Sequence, residues 1–356
     1  MKKYIITIRG EKDYTAASKA RADAQAIAEA GGYVPFPFEG ERSAKGSALA
    51  AAEVIRSAVR NWRRLGRTVG AGSVVLIQYP HYPLKTAWLM KRVIPGLRKK
   101  KGIRFIFLVH DLNSLRGTFG QAAVYSDGQL LQEADRIICH NEKMKAYLKD
   151  RGIPEEKLIP LGIFDYLTEA DMRVHRRGDG IAAAGNLDPE KSGYIGALAR
   201  EGAGGLKIHL YGNGFPEGAA RRSEVTLHGA WPAAELPGVM EGGFGLVWDG
   251  PSTAGCEGKM GNYLRYNNPH KLSLYLAAGM PVIIWKEAAE AAFVLEQGLG
   301  LTAGSLGEIP AAVNGMTDAA YAEMAARAAA VGAALRSGAF LSAALGAAEK
   351  CSGFRI

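Results

Sequence analysis

Cysteine is scarce in this sequence: three in 356 residues, at Cys139, Cys256 and Cys351. A set that is sparse, odd in number and widely separated excludes a disulfide framework and offers no metal-ligand spacing. It fits a reducing cytoplasm, and Cys139, inside an apolar run, reads as a core thiol. No stretch of ~20 uninterrupted apolar residues occurs, so no transmembrane helix is expected. The opening MKKYIITIRG carries two lysines. Its apolar run is too short for a secretory core and reads as a first buried strand. There is no G-x-x-x-x-G-K-[ST], no H-E-x-x-H and no G-x-S-x-G. Gly212-x-Gly214 lacks the third glycine of a dinucleotide fingerprint. The histidines are scattered, which leaves a metal site unsupported; none is expected.

What is present is apolar material for more than one core: 48% hydrophobic residues against 22% charged. Domains commonly run to about 100–200 residues, so two are expected. The net charge of +9 calls for an anionic partner. Nucleic acid, acidic membrane and a nucleotide-sugar all qualify, and charge does not choose among them. Nucleic acid is set aside because no aromatic-basic interleaving on an RNA- or DNA-binding module is present.

Short apolar runs alternate with amphipathic stretches. Strands are expected at Tyr4–Ile8, Ser73–Gln78, Arg104–Val109 and Arg136–Cys139. Helices are expected at Tyr14–Ala30, from about Lys85, at Gln129–Ala134, and at Asn141–Arg151 with Asn141 as cap. Gly162–Gly180 breaks the rhythm: it is charged, has no clear apolar stripe, and reads as an interdomain linker. The alternation restarts with strands at Gly180–Ala184, Leu206–Tyr211, Val225–His228, Phe244–Trp248 and Pro281–Ile284. A helix is expected at Pro269–Ala278 and an alanine-rich helical tail at about Asp318–Glu349. Continuous apolar strands between helices imply parallel sheets covered on both faces. The reading is α/β, two Rossmann-like domains facing across a cleft. They occupy 1–165 and 178–340, with 341–356 a C-terminal helix that can pack back on the first.

Ligands of open α/β sheets bind beyond the carboxyl ends of strands, which selects the loops to inspect. The richest is in Gly242–Ile284. A strand ends at Trp248-Asp249, and a mobile loop of roughly 15 residues follows, of functional length. Pro269 then stands in the first turn of a helix, with Asn267 or Asn268 as cap. Free N–H groups and the positive dipole end make this a diphosphate site. Lys271 lies in the first turn, where the dipole disfavours a cation; an anion between them removes the conflict. The alternative is a solvated lysine. Asn268 and His270, at the same helix start, join the donor side. Gly185-Asn186 and Tyr211-Gly212-Asn213-Gly214 end strands; Asn186 and the backbone there can reach a donor, and Tyr211 can stack on a base. Asp249 can bind sugar hydroxyls. Ordinary turns are the alternative for each.

The string YNNPHKLSLYLAAGMPVI resembles the donor-binding signature of bacterial galactofuranosyltransferases and of the glucosyltransferases that extend glycans on serine-rich adhesins. FGLVW before it, EQGLG (Glu296–Gly300) after it, His110-Asp111 and Gly185-Asn186 extend the likeness from Ile5 to about Gly300. The resemblance implies a GT-B fold, a UDP-sugar donor bound through the Lys271 segment, no cofactor and no bound metal. It implies transfer of galactofuranose or glucose, with inversion, to a glycan or lipid-linked glycan. A non-catalytic nucleotide-sugar-binding subunit of a glycan assembly complex is the other reading, and a homo-oligomer stays open. Direct displacement needs a base for the acceptor hydroxyl. Asp111 is that candidate and His110 a binder, or the pair is structural. Asp127 reads as a helix cap. Finally, Arg56, Arg60, Arg63, Arg64 and Arg67 are spaced for one helical stripe. Ile55, Val59, Trp62 and Leu65 make an apolar stripe offset from it. With Arg98-Lys99-Lys100-Lys101, that face suits an anionic membrane surface, so the protein is expected in the cytoplasm, peripheral to the inner face of the membrane. The alternative is a solvated face.

Overall fold

The computed structural model describes residues 2–8, 16–39, 48–81, 86–117, 120–216, 218 and 222–350. Tyr14 and Lys85, two expected helix starts, lie outside these residues, as does Cys351. The chain divides into two compact units. One holds Met1–Lys12, Arg21–Leu161 and Leu341–Ile356; the other holds Asp13–Ala20 and Gly162–Phe340.

The first unit is built on β1 (Lys3–Ile8), β2 (Tyr33–Phe38), β3 (Val74–Tyr79), β4 (Arg104–Val109), β5 (Arg136–Cys139) and β6 (Leu158–Pro160), in sheet order β2-β1-β3-β4-β5-β6. The second is built on β7 (Ile181–Ala184), β8 (Ile208–Tyr211), β9 (Val225–Gly229), β10 (Phe244–Val247), β11 (Val282–Trp285) and β12 (Gly300–Ala303), in order β12-β11-β10-β7-β8-β9. Every named pairing is parallel. The composition of the central strands dictates this. All six residues of β3, and all four of β7, β8, β10 and β11, are buried. A strand buried on both faces belongs in a parallel sheet with helices on each side.

Three strands escape the pattern of apolar runs: β2, β6 and β12. Each is an edge strand. In β2, Pro35 and Pro37 argue against a central strand, because proline cannot donate to a ladder; at an edge it is tolerated. Elsewhere Asn141 caps its helix as expected, its side chain accepting from the Met144 amide at 2.9 Å.

Two expectations change. The helix Ala48–Thr68 buries Val54, Ala58, Trp62 and Leu65, whereas Ile55 is exposed. The buried stripe therefore runs one residue earlier at its start. The segment Gly162–Gly180 belongs with the second unit. Its early part is not solvated: Ile163, Phe164 and Tyr166 are buried, and Tyr166 Oη donates to the Ala233 carbonyl at 2.6 Å. The tail forms two helices, Asp318–Arg336 and Ala339–Lys350, with a break between them. Gly338, at φ 74, sits at the break, a backbone state that suits glycine. In the first unit, Glu349 pairs with Lys3 at 2.6 Å and accepts from Tyr33 Oη at 2.9 Å. Among the described residues no single helix is long and apolar enough to cross a membrane.

Candidate active site

In the second unit, β10, β7 and β8 are neighbours, so the turns that follow them lie side by side at the carboxyl end of the sheet. The helix His270–Ala277 packs under these turns. Tyr275 is fully buried and its hydroxyl accepts from the Ala184 amide at 2.8 Å, tying the helix to the end of β7. Gly245 makes room: a Cβ there would stand 2.0 Å from the Tyr275 ring. This geometry explains the glycine in FGLVW.

Lys271 leaves the first turn of that helix and reaches back to the end of β10. Its Nζ donates to the Trp248 carbonyl at 2.7 Å and to Asp249 Oδ1 at 2.8 Å. Both side chains of the pair are largely buried, at 15% and 12% exposure. Burial alone would push the ammonium toward neutrality; the Asp249 carboxylate, with Tyr275 and Cys256 adding to it, outweighs it and holds the lysine above its ordinary range. The solvated-lysine reading is thereby excluded, and Asp249 is this lysine's counter-ion. An ammonium has three N–H donors, and these bonds use two.

Gly185 and Asn186 are exposed at the end of β7. The Gly185 amide is not on offer to a ligand, since it donates to the Tyr211 carbonyl at 2.9 Å. The Leu187 amide goes to Asn213 and the Asp188 amide to Asn186 Oδ1, both at 2.9 Å. What the turn presents is the Asn186 side chain. Gly212 is required beneath it, because a Cβ there would lie 1.8 Å from the Gly185 oxygen. Tyr211 does not offer an open face: it is 2% exposed and its ring stacks on His228 at 4.4 Å.

The helix start differs from the expected cap. Pro269 itself occupies the cap position and no side chain caps the helix. Asn268 is buried and donates to the Gly162 carbonyl at 2.9 Å, a bond that anchors the chain entering the unit. His270 stacks on Phe164 at 4.8 Å. Among the described residues neither of its ring nitrogens has a hydrogen-bond partner. Burial, with Lys19 adding to it, pushes its pKa down to about 4, so the ring is neutral. After β10 the chain turns through buried Trp248 and Cys256 into a helix, Gly258–Tyr263, rather than an unstructured loop.

In the first unit, His110 and Asp111 follow β4. His110 Nε2 meets Gln78 Oε1 at 2.7 Å, and Asp111 Oδ2 pairs with Arg116 at 2.8 Å. Asp127 is buried and accepts from Tyr79 Oη at 2.6 Å and from the Ser114 amide at 2.8 Å. It lies inside the helix Gly120–Leu130 rather than capping a helix that begins at Gln129, and its bond to the Ser114 amide ties its own helix to Asn113–Arg116. Burial raises its pKa above the usual carboxylate value. Sequence reasoning missed Phe164 beside His270 in the second unit, which the linker reading hid, and Arg116 and Gln78 beside Asp111 and His110 in the first, which no motif marks.

Comparison with known proteins identifies the family. Residues 2–163 match the family model "Glucosyltransferase 3-like, N-terminal domain", and residues 181–348 match its C-terminal counterpart. The chain is 33% identical over 245 residues to the beta-1,6-galactofuranosyltransferase WbbI of Escherichia coli K12, covering 67% of this chain and 68% of that one. It is 24% identical over 267 residues to glucosyltransferase 3 of Streptococcus gordonii, covering 73% and 74%. Among solved structures it resembles Anabaena HepE in complex with UDP and glucose, with TM-score 0.62, 13% identity, and 99% and 100% coverage. That likeness carries the GT-B fold. The chain belongs to the glucosyltransferase 3-like family of glycosyltransferases.

Proposed function

We propose that this glycosyltransferase moves a hexose, galactofuranose or glucose, from a UDP-sugar to a hydroxyl of a glycan or lipid-linked glycan, by one inverting displacement without a metal at the donor phosphates. The observation that carries the reading is the Lys271 cluster: a buried, charged ammonium at a helix start, with two of its three donors engaged by Trp248 and Asp249. The remaining donor and the His270 and Lys271 amides are assigned to the diphosphate; the Leu272 amide is taken by the Pro269 carbonyl at 2.9 Å. As the glycosidic bond breaks, charge grows on that diphosphate, and fixed donors stabilise it with no reorganisation. Asn186 and the neutral His270 ring flank the same helix start as donor-side contacts. The names of the relatives support both sugars, since one is a galactofuranosyltransferase and the other a glucosyltransferase.

The second unit, which holds residues 178–340, is assigned the donor, and the first the acceptor. Asp111 is the proposed base. Its carboxylate is held by Arg116, which orients it and must yield one oxygen to the acceptor proton. The exposed arginines of Ala48–Thr68 are assigned to an anionic membrane surface that holds the acceptor nearby.

The test is a panel of UDP-sugars incubated with the full chain and a glycan acceptor, read as UDP release and product mass. Turnover with one UDP-hexose, undiminished in EDTA, is the expected result. Donor binding without hydrolysis or transfer would instead mark a non-catalytic nucleotide-sugar-binding subunit.

A further inference from the structure

The strand order sets β8 beside β9, and the segment before β10 returns across the same face. This brings together three side chains far apart in sequence: His209 on β8, His228 on β9 and Glu241 ahead of β10. His209 Nδ1 lies 3.0 Å from His228 Nε2 and 3.7 Å from Glu241 Oε2. One ligand atom from each of the three lies within 4.8 Å of the others.

Each group is aimed by a partner outside the cluster. His209 Nε2 lies 3.0 Å from the Asp179 carbonyl, which can only accept. The proton is therefore on Nε2, and the Nδ1 lone pair points into the cluster. Imidazole ligands of metals are commonly oriented in this way. The His228 ring lies flat on Tyr211, at 4.4 Å and 4°. Tyr211 Oη in turn accepts from the Glu241 amide at 2.7 Å. Arg173 holds Glu241 Oε1 at 3.4 Å, leaving Oε2 turned inward. His209 is buried, while His228 and Glu241 are only partly so, which leaves one side open to water.

We propose that His209, His228 and Glu241 form a binding site for a divalent transition ion of the zinc class, with water as fourth ligand. Two imidazoles and a carboxylate suit zinc, whereas calcium and magnesium require oxygen ligands. Tetrahedral bonds of about 2.0–2.2 Å set ligand atoms roughly 3.3–3.5 Å apart. The two separations from His209, 3.0 and 3.7 Å, bracket that value, and the third lies within 4.8 Å, so binding would draw the His228 and Glu241 ligand atoms into range. In the metal-free protein the His228 Nε2 proton bridges to His209 Nδ1; on binding, the ion takes its place and the proton moves to His228 Nδ1. The ion cross-links β8, β9 and the segment before β10. Since the Tyr211 carbonyl supports the Gly185 amide at 2.9 Å, it also stiffens the base of the Gly185-Asn186 turn. Its role is structural, separate from the donor phosphates.

The test uses the untagged full chain, stripped with EDTA and desalted, titrated with Co²⁺ and then Zn²⁺. One equivalent of Co²⁺ should give the intense visible absorption of a tetrahedral ion, bleached by Zn²⁺, and Zn²⁺ should raise the melting temperature. Glu241→Gln and His228→Gln should each weaken Zn²⁺ binding by at least ~10–100-fold, the loss typical of disturbing even an outer partner. His228→Gln also removes the stack on Tyr211, so Glu241→Gln, with unchanged metal-free circular dichroism, is the cleaner comparison. No uptake at one equivalent, or equal uptake by the wild type and Glu241→Gln, overturns the proposal.

Discussion

At Lys271, one ammonium serves the fold and the proposed donor at once, and the two roles separate experimentally. Lys271→Ala strands the Asp249 carboxylate in a largely buried position; breaking such a pair typically costs roughly 3–5 kcal/mol. Thermal unfolding should therefore show a clear loss. Adding Asp249→Asn removes the stranded charge and should recover much of the stability, yet UDP affinity should stay low, since one charge-assisted contact is worth roughly 1.5–3 kcal/mol. A double variant that regains affinity along with stability would make Lys271 purely structural. Asp111→Asn should lower turnover by ~10²–10⁴-fold while sparing UDP binding, because the substitution removes the base alone; near-normal turnover would move the base elsewhere. His270 supplies a pH signature. Its pKa falls from 6.5 to about 4 on folding, so the unfolded chain binds the extra proton between those values. Stability must then decline as pH drops from about 6.5 toward 4, by up to ~1.4 kcal/mol per unit. Denaturant titrations of His270→Gln should show a shallower decline than the wild type; parallel curves would contradict the assignment.

At the scale of elements, the helix His270–Ala277 depends on Gly245. Gly245→Ala drives a methyl into Tyr275 and should cost about 1–3 kcal/mol while displacing Lys271. Calorimetry and a UDP titration would then both register the change; an unperturbed protein would mean the helix is not seated as described. The central strands and this helix were legible because β-branched runs and the KLSLYLAAG pattern each satisfy one period. The edge strands β2, β6 and β12 were not, since proline, short length and mixed polarity are tolerated where one side lacks a neighbour. The candidate site was legible as a place and less so as a set of contacts. The signature marked Lys271, but nothing local revealed that Asp249 pairs with it, that Tyr211 is covered by His228, or that Asn268 serves Gly162. These contacts join segments distant in sequence. The arginine stripe shows the same limit. Arg56 and Arg60 lie 4.0 and 3.7 Å from Glu53, and Arg64 covers Phe36 and donates to the Pro37 carbonyl. The exposed arginines still carry a net positive face. Sedimentation with phosphatidylglycerol vesicles should show binding at low salt that is lost at high salt, with ~1 kcal/mol per basic residue. A protein left in the supernatant at low salt would make the stripe a solvated face.

For the whole molecule, family membership and fold define a glycosyltransferase of two parallel-sheet units. The proposed use of Lys271 and helix amides in place of a metal predicts that Mg²⁺ or Mn²⁺ leaves the transfer rate unchanged after EDTA treatment; activity lost in chelator and restored by either ion would place a metal at the phosphates. The most direct measurement is calorimetric titration of UDP into the wild type and into Lys271→Ala/Asp249→Asn, the pair-neutralised form that keeps its fold. Saturable one-site binding by the wild type, weakened roughly tenfold or more in the double variant, is the predicted result. Equal affinity in the two proteins would contradict the assignment of the donor diphosphate to Lys271.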